Sequence, residues 1–170
     1  DSLSLESNGI YEKVETEFFK EILDIGDYVV DVGANIGYYT LLFSKLVGPT
    51  GRVDAFEPEI RNYKLLEYNI ANNNAHNCKV HNCAVGQSNE TLKLFLSDSN
   101  HGDHRLYDSC DGRDFIEVDV ISLDDFYMNN SITVKVIKID VQGFEEYALK
   151  GAKNLILNNI DSINIFMEFW

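Results

Sequence analysis

The sequence contains little positive charge and few prolines. Among its 170 residues, 14 are Lys or Arg, 28 are Asp or Glu and 2 are Pro, which gives a formal net charge of −14. Proteins that bind nucleic acids meet the phosphate backbone with clusters of Lys and Arg, so this balance argues against a nucleic-acid partner. The 45% hydrophobic content is sufficient for one core, and residues 1–170 are predicted to form a single globular domain.

Cysteine is scarce as well. The three cysteines, Cys78, Cys83 and Cys110, are odd in number and lack a C-x-x-C pair. This pattern disfavours a disulfide framework and is typical of a reducing compartment, so we expect a cytoplasmic location. His76 and His81 lie near the first two cysteines, but in a strand Cys78 and Cys83 point to opposite faces, so we predict no metal there.

Long hydrophobic runs are also missing. No stretch is long and apolar enough to cross a bilayer, and residues 1–10 lack the basic and apolar regions of a signal peptide. We therefore expect no membrane partner. The chain begins without Met, so a leader that has been removed stays an open alternative.

Helical and strand-like segments alternate along the chain. Apolar residues at spacings of three and four predict helices from residue 11 to near 26, over about 39–46 and 63–70, and over 144–155. Short apolar runs predict buried strands in "YVVDVGA", "RVDAFEP", "VKVIKID" and "INIFMEF". This order predicts an α/β fold with a mostly parallel sheet, helices on both faces and right-handed crossovers.

Two segments follow a different pattern. Apolar residues alternate with polar ones over 92–96 and again over 116–120, which predicts strands with one solvent-facing side. The polar stretch 97–114 between them has no periodicity, and loops of this length in compact domains are functional or disordered. The apolar strand at 163–170 ends the sequence, so we expect C-terminal strands to be missing and consider self-association through this edge.

The stretch "DVGANIGYYT", residues 31–40, joins the first buried strand to a helix, where open parallel sheets bind their ligands. A dinucleotide fingerprint requires glycines where Asn35 and Tyr38 stand, and the charge of Asp31 is unsuited to a diphosphate. Glu57 ends the next strand, where an acid accepts hydrogen bonds from ribose hydroxyls. The combination favours S-adenosylmethionine, whose amino group and sulfonium are cationic.

A simpler interpretation of the same residues stays open. Gly33 and Gly37 are then ordinary turn glycines, and Glu57 is an acid placed favourably at a helix N-terminus. Each half of the pattern alone fits this interpretation, whereas the two together favour the cofactor.

The stretches "VVDVGANIGYYT", "AFEPE", "ISLDDF" and "KIDVQGFEEYALKGA" resemble the FkbM family of S-adenosylmethionine-dependent methyltransferases over about residues 11–170. The resemblance implies a Rossmann-like class I fold with five of seven strands present, and methyl transfer to a hydroxyl of a sugar, polyketide or other small molecule. It also implies a methionine site around 31–37, a ribose contact at Glu57 and an adenine site around 82–84. The implied cofactor-binding residues are Asp31, Gly33, Asn35, Gly37, Glu57, Pro58, Asn82 and Ala84.

Methyl transfer to an alcohol requires a well-placed acceptor and removal of its proton. Asp140 ends the fourth strand, at the usual catalytic edge, and is the first candidate for orienting or deprotonating the acceptor. Capping of the next helix is an equally good interpretation of Asp140. Glu168, near the end of the fifth strand, is a further catalytic candidate, but two carboxylates are too few to predict a magnesium site.

The polar loop and the following helix supply the remaining candidates. His104 is a candidate base, favoured because "GDHRLY" resembles a segment of some family members, and His101 and Arg105 are candidate substrate contacts. Glu145 is a substrate candidate too, although an acid in the first turn of a helix also has a structural explanation.

Three functions compete at this point. The first is an S-adenosylmethionine-dependent O-methyltransferase with a small-molecule or glycan hydroxyl acceptor. The second is a catalytically silent methyltransferase-like domain that acts in assembly or binding, and the third is a nicotinamide-dependent oxidoreductase. A DNA amino-methyltransferase is disfavoured because "DVQG" stands where that class has an Asn/Asp-Pro-Pro-aromatic motif.

Overall fold

The computed structural model describes residues 12–97, 102–129 and 132–168. Its helices are α1 (Lys13–Ile22), α2 (Tyr38–Val47), α3 (Ile60–Asn72), α4 (Leu123–Tyr127), α5 (Glu145–Gly151) and α6 (Lys153–Asn158). Its strands are β1 (Tyr28–Val32), β2 (Arg52–Phe56), β3 (Cys78–His81), β4 (Ala84–Val85), β5 (Glu90–Phe95), β6 (Phe115–Ile121), β7 (Val136–Ile139) and β8 (Asn164–Met167). None of the helices in these ranges is both long and apolar enough to span a bilayer.

Five strands form a parallel sheet in the order β3-β2-β1-β7-β8. The chain runs from β1 outward through β2 to β3, and then returns to place β7 on the other side of β1. The strand order therefore reverses between β1 and β7, and such a point opens a crevice at the carboxyl ends of the strands. The predicted parallel sheet with five strands is confirmed.

Helices cover both faces of this sheet. On one face, Phe19 of α1 and Phe43 of α2 pack on Val29, Val53 and Val136 of the strands. On the other face, the strands pack against residues of α4, α5 and α6, among them Leu123, Ala148 and Leu155. Because both faces are covered, the strands are apolar on both sides, which explains why they occur as continuous apolar runs in the sequence.

A buried acid ties the second of these faces together. Asp54 of β2 accepts hydrogen bonds from the hydroxyls of Tyr28 on β1 and Tyr127 on α4, and Arg52 pairs with the same carboxylate. Burial raises the pKa of Asp54, but the neighbouring His81 and the hydrogen bonds from Tyr28 and Tyr127 outweigh it and lower the pKa to about 2. The ionised form of Asp54 thus links three elements of the core.

The two alternating segments form a separate small sheet. β5 and β6 pair antiparallel from Glu90↔Val120 to Phe95↔Phe115, and β4 pairs parallel with β6, in the order β4-β6-β5. Leu94, Val118 and Val120 are buried, whereas Glu117 and Asp119 are exposed. The predicted strands with one solvent-facing side are therefore present, in a second sheet that the sequence pattern did not indicate.

The prediction of one helix over 144–155 was wrong. α5 ends at Gly151, Ala152 has φ −108° and ψ 7°, and α6 begins at Lys153. The Asp124 carboxylate accepts hydrogen bonds from the N–H groups of Asn154 (2.9 Å) and Leu155 (2.8 Å). A side chain distant in sequence thereby satisfies the first N–H groups of a new helix, which an apolar spacing pattern cannot reveal.

Candidate functional site

A cleft lies at the carboxyl ends of the strands, where the strand order reverses. One side is formed by Gly33 and Asn35 after β1, Glu57 after β2 and Asp140 after β7. The other side comes from the small sheet and the segment that follows it, through Ala84, Leu94, His104 and Leu106. The cleft is therefore built where the two sheets meet.

The backbone N–H groups of the turn after β1 donate hydrogen bonds to other atoms of the protein. The N–H groups of Gly33 and Ala34 both donate to the Phe56 carbonyl at 3.0 Å, and that of Asn35 donates to Glu57 Oε2 at 2.9 Å. Gly37 N–H donates to the Ala34 carbonyl at 2.9 Å. A phosphate at this turn would need such donors, so the geometry disfavours a nicotinamide dinucleotide.

Gly33 is required by its surroundings. It has φ +81°, and a Cβ at this position would lie 1.9 Å from the Asp140 carbonyl oxygen. The first turn and the end of β7 thus approach each other as closely as a glycine allows. Gly37 does not line the cleft but stands at the N-cap of α2, where a Cβ would lie 2.5 Å from Leu66 Cδ1.

Glu57 is a buried carboxylate that lines the cleft. It is 5% exposed, and Oε1 accepts from Glu59 N–H at 3.0 Å while Oε2 accepts from Asn35 N–H. Burial raises its pKa to about 7, against these two backbone hydrogen bonds, which lower it. The Asn62 side chain is a third hydrogen-bond partner of this carboxylate. A carboxylate has about four acceptor positions, so these three partners leave one position for a ribose hydroxyl.

Pro58 and Ala84 line the cleft next to Glu57, as the resemblance implied for cofactor contacts. Asn82 has another place: its Nδ2 donates to the carbonyls of Glu57 (2.9 Å) and Pro58 (3.0 Å). Asn82 therefore supports the loop that carries Glu57 and does not itself form the wall of the cleft.

Asp31 is not at the cleft surface either, although the sequence placed it at the methionine end. Its side chain is fully buried on the α2 side of the sheet, where Oδ2 accepts from Thr40 Oγ1 at 2.6 Å. Burial raises the pKa of Asp31, while Lys138 and Thr40 lower it. Asp31 follows the alternation of a strand and points away from the turn that it precedes.

Asp140 lines the cleft directly after β7, together with Val141 and Gln142. Its Oδ1 accepts from Gln142 Nε2 at 2.8 Å, and its Oδ2 lies 3.6 Å from Lys138 Nζ. The alternative of a helix cap does not hold, because Phe144 is the N-cap of α5 and makes no side-chain cap bond. Asp140 is thus placed for contact with a ligand.

Glu145 does not line the cleft. The residue is 6% exposed. Its Oε1 accepts hydrogen bonds from the N–H groups of Gly143 (3.0 Å) and Val141 (3.3 Å). Glu145 thereby stabilises the turn that follows Asp140. This placement fits the structural explanation of Glu145 and not the expected substrate contact.

Two of the three loop candidates lie in the described residues, whereas His101 lies outside them. His104 lines the cleft, and its Nδ1 accepts from Ser97 N–H at 3.0 Å. In a neutral ring the proton then resides on Nε2, so His104 is a hydrogen-bond donor in this geometry and not a base. Arg105 does not line the cleft, because its Nε donates to Asp103 Oδ1 at 2.8 Å.

Glu168 follows β8 and does not line the cleft. Its N–H donates to the Ile139 carbonyl at 3.3 Å, which continues the pairing of β8 with β7. Burial raises the pKa of Glu168, and the charge of Asp140 adds to that effect. Within the described ranges, no three His, Cys, Asp or Glu side chains cluster as metal ligands.

The sequence missed the apolar walls of the cleft and two polar residues in it. The apolar residues are Val32, Phe56, Val85, Leu94, Leu106 and Val141, and the polar ones are Asn62 and Gln142. Val32 and Phe56 are the last residues of β1 and β2, a position from which they were predictable. Leu106 lies in a loop without periodicity, so only the folded chain brings it to the site.

Comparison with known proteins gives the family. The model of the FkbM methyltransferase domain matches residues 31–169. Among solved structures, the FkbM methyltransferase of Methylobacillus flagellatus KT is 22% identical with a TM-score of 0.59, over 89% of this chain and 40% of that one. This chain therefore spans about two fifths of the length of that protein. No match was found among curated proteins.

Two further solved structures share the fold. An rRNA methylase from Streptococcus thermophilus is 10% identical with a TM-score of 0.50, over 91% of this chain and 69% of that one. The O-methyltransferase TomG from Streptomyces achromogenes, solved with S-adenosylmethionine, is 10% identical with a TM-score of 0.51, over 91% and 53%. The predicted family and the predicted Rossmann-like fold are thus confirmed: this chain belongs to the FkbM methyltransferase family.

Proposed function

We propose that this chain binds S-adenosylmethionine in the cleft and transfers the methyl group to a hydroxyl of a small-molecule or glycan acceptor. The observation that carries this proposal is Glu57, a buried carboxylate at the end of β2 that faces the cleft and is held by the turn after β1. Membership of a methyltransferase family and the cofactor bound to TomG support it.

The residues of the cleft fit this cofactor. Glu57 retains an acceptor position for a ribose hydroxyl, and the apolar side chains of Phe56 and Val85 offer surface for the adenine. Gly33 and Asn35 lie beside Asp140, where the methionine part would be held. The carboxylate of Asp140 provides negative charge on this side of the cleft, which suits a cationic ligand.

The bound cofactor supplies an electrophilic methyl group, and the residues of this chain place and prepare the acceptor. Asp140 accepts the hydrogen bond of the acceptor hydroxyl and takes up its proton as the oxygen is methylated. His104, protonated at Nε2 while Nδ1 accepts from Ser97, donates a hydrogen bond to the ligand and does not act as the base. Leu94 and Leu106 exclude water from this side of the cleft.

Calorimetry with S-adenosylmethionine and S-adenosylhomocysteine tests the binding step. We expect both to bind the wild-type chain, and Glu57→Ala to weaken both by tenfold or more, about 1.4 kcal/mol or more. Glu67→Ala, an exposed acid on α3, is the matched control and should bind as the wild type does. Absence of binding of both compounds to the folded wild-type protein contradicts the proposal.

A methylation assay tests the transfer step. Mixtures of sugars, polyketides and other hydroxyl compounds are incubated with the cofactor, and products that have gained a methyl group are identified by mass spectrometry. Asp140→Asn should retain cofactor binding and lose about 10²- to 10⁴-fold in rate, the range of one general base. Binding without transfer to any compound supports the alternative, a silent domain that acts in assembly.

A further inference from the structure

Lys138 is a buried cation on the sheet face that α1 and α2 cover. The residue is 3% exposed, and its neighbours in the sheet register are Asp31 on β1 and Phe166 on β8. Its Nζ lies 4.8 Å from the centre of the Tyr39 ring on α2. An ammonium group in such surroundings is costly unless carboxylates compensate its charge.

Three carboxylates interact electrostatically with this ammonium, and they are Asp31 in β1, Asp140 directly after β7 and Glu168 directly after β8. Asp140 Oδ2 lies 3.6 Å from Lys138 Nζ, and Asp31 is the partner of Lys138 in the β1–β7 register. Burial raises the pKa of Asp31, and Lys138 is the strongest influence in the opposite direction. Lys138 also lowers the pKa of Glu168, which burial and Asp140 raise.

Helix α1, which covers this face of the sheet, adds two more carboxylates near Glu168. Glu12 and Glu15, at the beginning of α1, both raise the pKa of Glu168. Lys138 is therefore the one cation among the groups that act on Glu168 in the described part of the chain. Its loss would leave several carboxylates close together without compensation.

We propose that Lys138 is a positioning residue for methyl transfer, which holds the Asp140 carboxylate in its orientation at the acceptor side of the cleft. Lys138 faces Oδ2 while Gln142 Nε2 donates to Oδ1 at 2.8 Å, so each oxygen of Asp140 has its own partner. Lys138 itself does not line the cleft. The inference rests on the proposed function, since it assigns Lys138 to the same reaction.

These contacts orient the Asp140 carboxylate before the acceptor binds. A carboxylate held at both oxygens has already lost its rotational freedom, so this entropy is not lost again during the reaction. The same ammonium faces Asp31, directly before the cofactor turn, and thereby connects the two sides of the reaction centre.

The variant Lys138→Met tests the proposal, with Lys138→Arg as the conservative substitution and Lys135→Met as the matched control. Lys135 immediately precedes β7 and is half-buried. For Lys138→Met we expect a dissociation constant for S-adenosylmethionine within about threefold of the wild type. We expect kcat to fall by about ten- to a hundredfold with a smaller change in KM for the acceptor. Lys138→Arg should recover part of kcat, and Lys135→Met all of it.

Several outcomes overturn the proposal. A folded Lys138→Met protein with the kcat of the wild type shows that Lys138 is only a structural cation. If Lys138→Met does not fold, the double variant Lys138→Met/Asp31→Asn, which removes one anion together with the cation, is assayed against Asp31→Asn alone. Equal kcat values in these two proteins would also overturn the proposed role of Lys138.

A crystal structure of cofactor-free Lys138→Met separates this inference from the proposed function. We expect the Asp140 carboxylate to have turned away from Gln142 or to occupy two conformations, and an unchanged Asp140 overturns the inference. The proposed function fails instead when the wild-type protein binds no cofactor, whatever the orientation of Asp140 in the variant.

Discussion

Glu57 combines a structural and a titratable role in a single residue. Its carboxylate connects the turn after β1 with the beginning of α3, through the N–H groups of Asn35 and Glu59. Burial raises its pKa to about 7, compared with 4.5 for an accessible Glu. The charge of the proposed ribose contact thus changes within the physiological pH range.

We expect the affinity for S-adenosylmethionine to depend on this titration. Ribose hydroxyls donate to the ionised carboxylate, so affinity should rise by up to about tenfold between about pH 6 and pH 8. Calorimetry across this range measures the change, and in Glu57→Gln the slope should disappear. A wild-type affinity that is independent of pH contradicts the assignment of Glu57 to the ribose.

The same titration affects the cofactor-free protein. Because the folded-state pKa of Glu57 is above its unfolded value, the folded chain binds more protons between pH 4.5 and about 7. Stability due to this group therefore falls as the pH rises through that window and is lowest above it. The unfolding free energy of the wild type, relative to that of Glu57→Gln, should therefore decrease as the pH rises from about 4.5 to 7.

Gly33 allows a second test at the level of one residue. In Gly33→Ala the new methyl group meets the Asp140 carbonyl, at a backbone φ that L-residues rarely adopt. Overpacking and strain each cost about 1–3 kcal/mol, so a loss of about 3 kcal/mol or more in urea unfolding is expected. Gly112→Ala is the control, because Gly112 has φ +80° but no atom within 4 Å of the added Cβ. Equal losses for the two variants contradict the close approach.

At the level of elements, helix boundaries are decided by capping from other parts of the chain. Ser122 caps α4 from its own sequence neighbourhood by accepting from Asp125 N–H, which a reading of local sequence can find. α6 depends on Asp124, about thirty residues upstream, for the same function. The local sequence reveals a cap from an adjacent residue, but it does not reveal a cap from a residue that is distant in the chain.

We expect Asp124→Ala to destabilise the protein by about 1 kcal/mol, since it leaves the N–H groups of Asn154 and Leu155 without an acceptor. Urea unfolding measures the loss. Asp125→Ala is the matched control, because Asp125 is the exposed neighbour in the first turn of the same helix. A loss as large for Asp125→Ala would mean that the charge of α4, and not the cap of α6, matters.

At the level of the whole molecule, the cleft depends on the contact between two sheets. The segment 102–113 returns alongside β5, where Arg105 and Phe95 exchange backbone hydrogen bonds. Asp103 holds this segment, since it accepts from Arg105 Nε and from Arg113 Nη2, both at 2.8 Å. Burial raises the pKa of Asp103, but the hydrogen bonds from the two arginines outweigh it and lower that pKa.

Removal of this anchor should loosen one wall of the cleft and leave the main sheet intact. For Asp103→Ala we expect weaker binding of S-adenosylmethionine by about three- to tenfold, because His104 and Leu106 lose their support. The unfolding free energy should change by about 1 kcal/mol or less, as for partly exposed ion pairs. Asp108→Ala, at an exposed position in the same segment, serves as the control. Unchanged affinity in Asp103→Ala would show that the segment does not need this anchor.

The sequence predicted more of the residues that line the cleft after β1 and β2 than of those on its other side. Gly33, Asn35, Glu57, Pro58 and Ala84 lie at the cleft, because each follows or begins a strand whose position the apolar pattern already indicated. Asp31 and Asn82 face inward to other partners. Motif spacing places a residue along the chain, but the direction of its side chain depends on the twist and packing of the strand.

By itself, the sequence determined the alternation of strands and helices, the turn without a dinucleotide fingerprint and the acid at the end of β2. These features are local, since hydrophobic spacing and turn residues act within a few positions. The tertiary structure alone decided that a second sheet closes the cleft, that Asp124 begins α6 and that Lys138 faces Asp140. Those contacts join residues whose proximity arises only when buried surfaces pack, and no local pattern contains it.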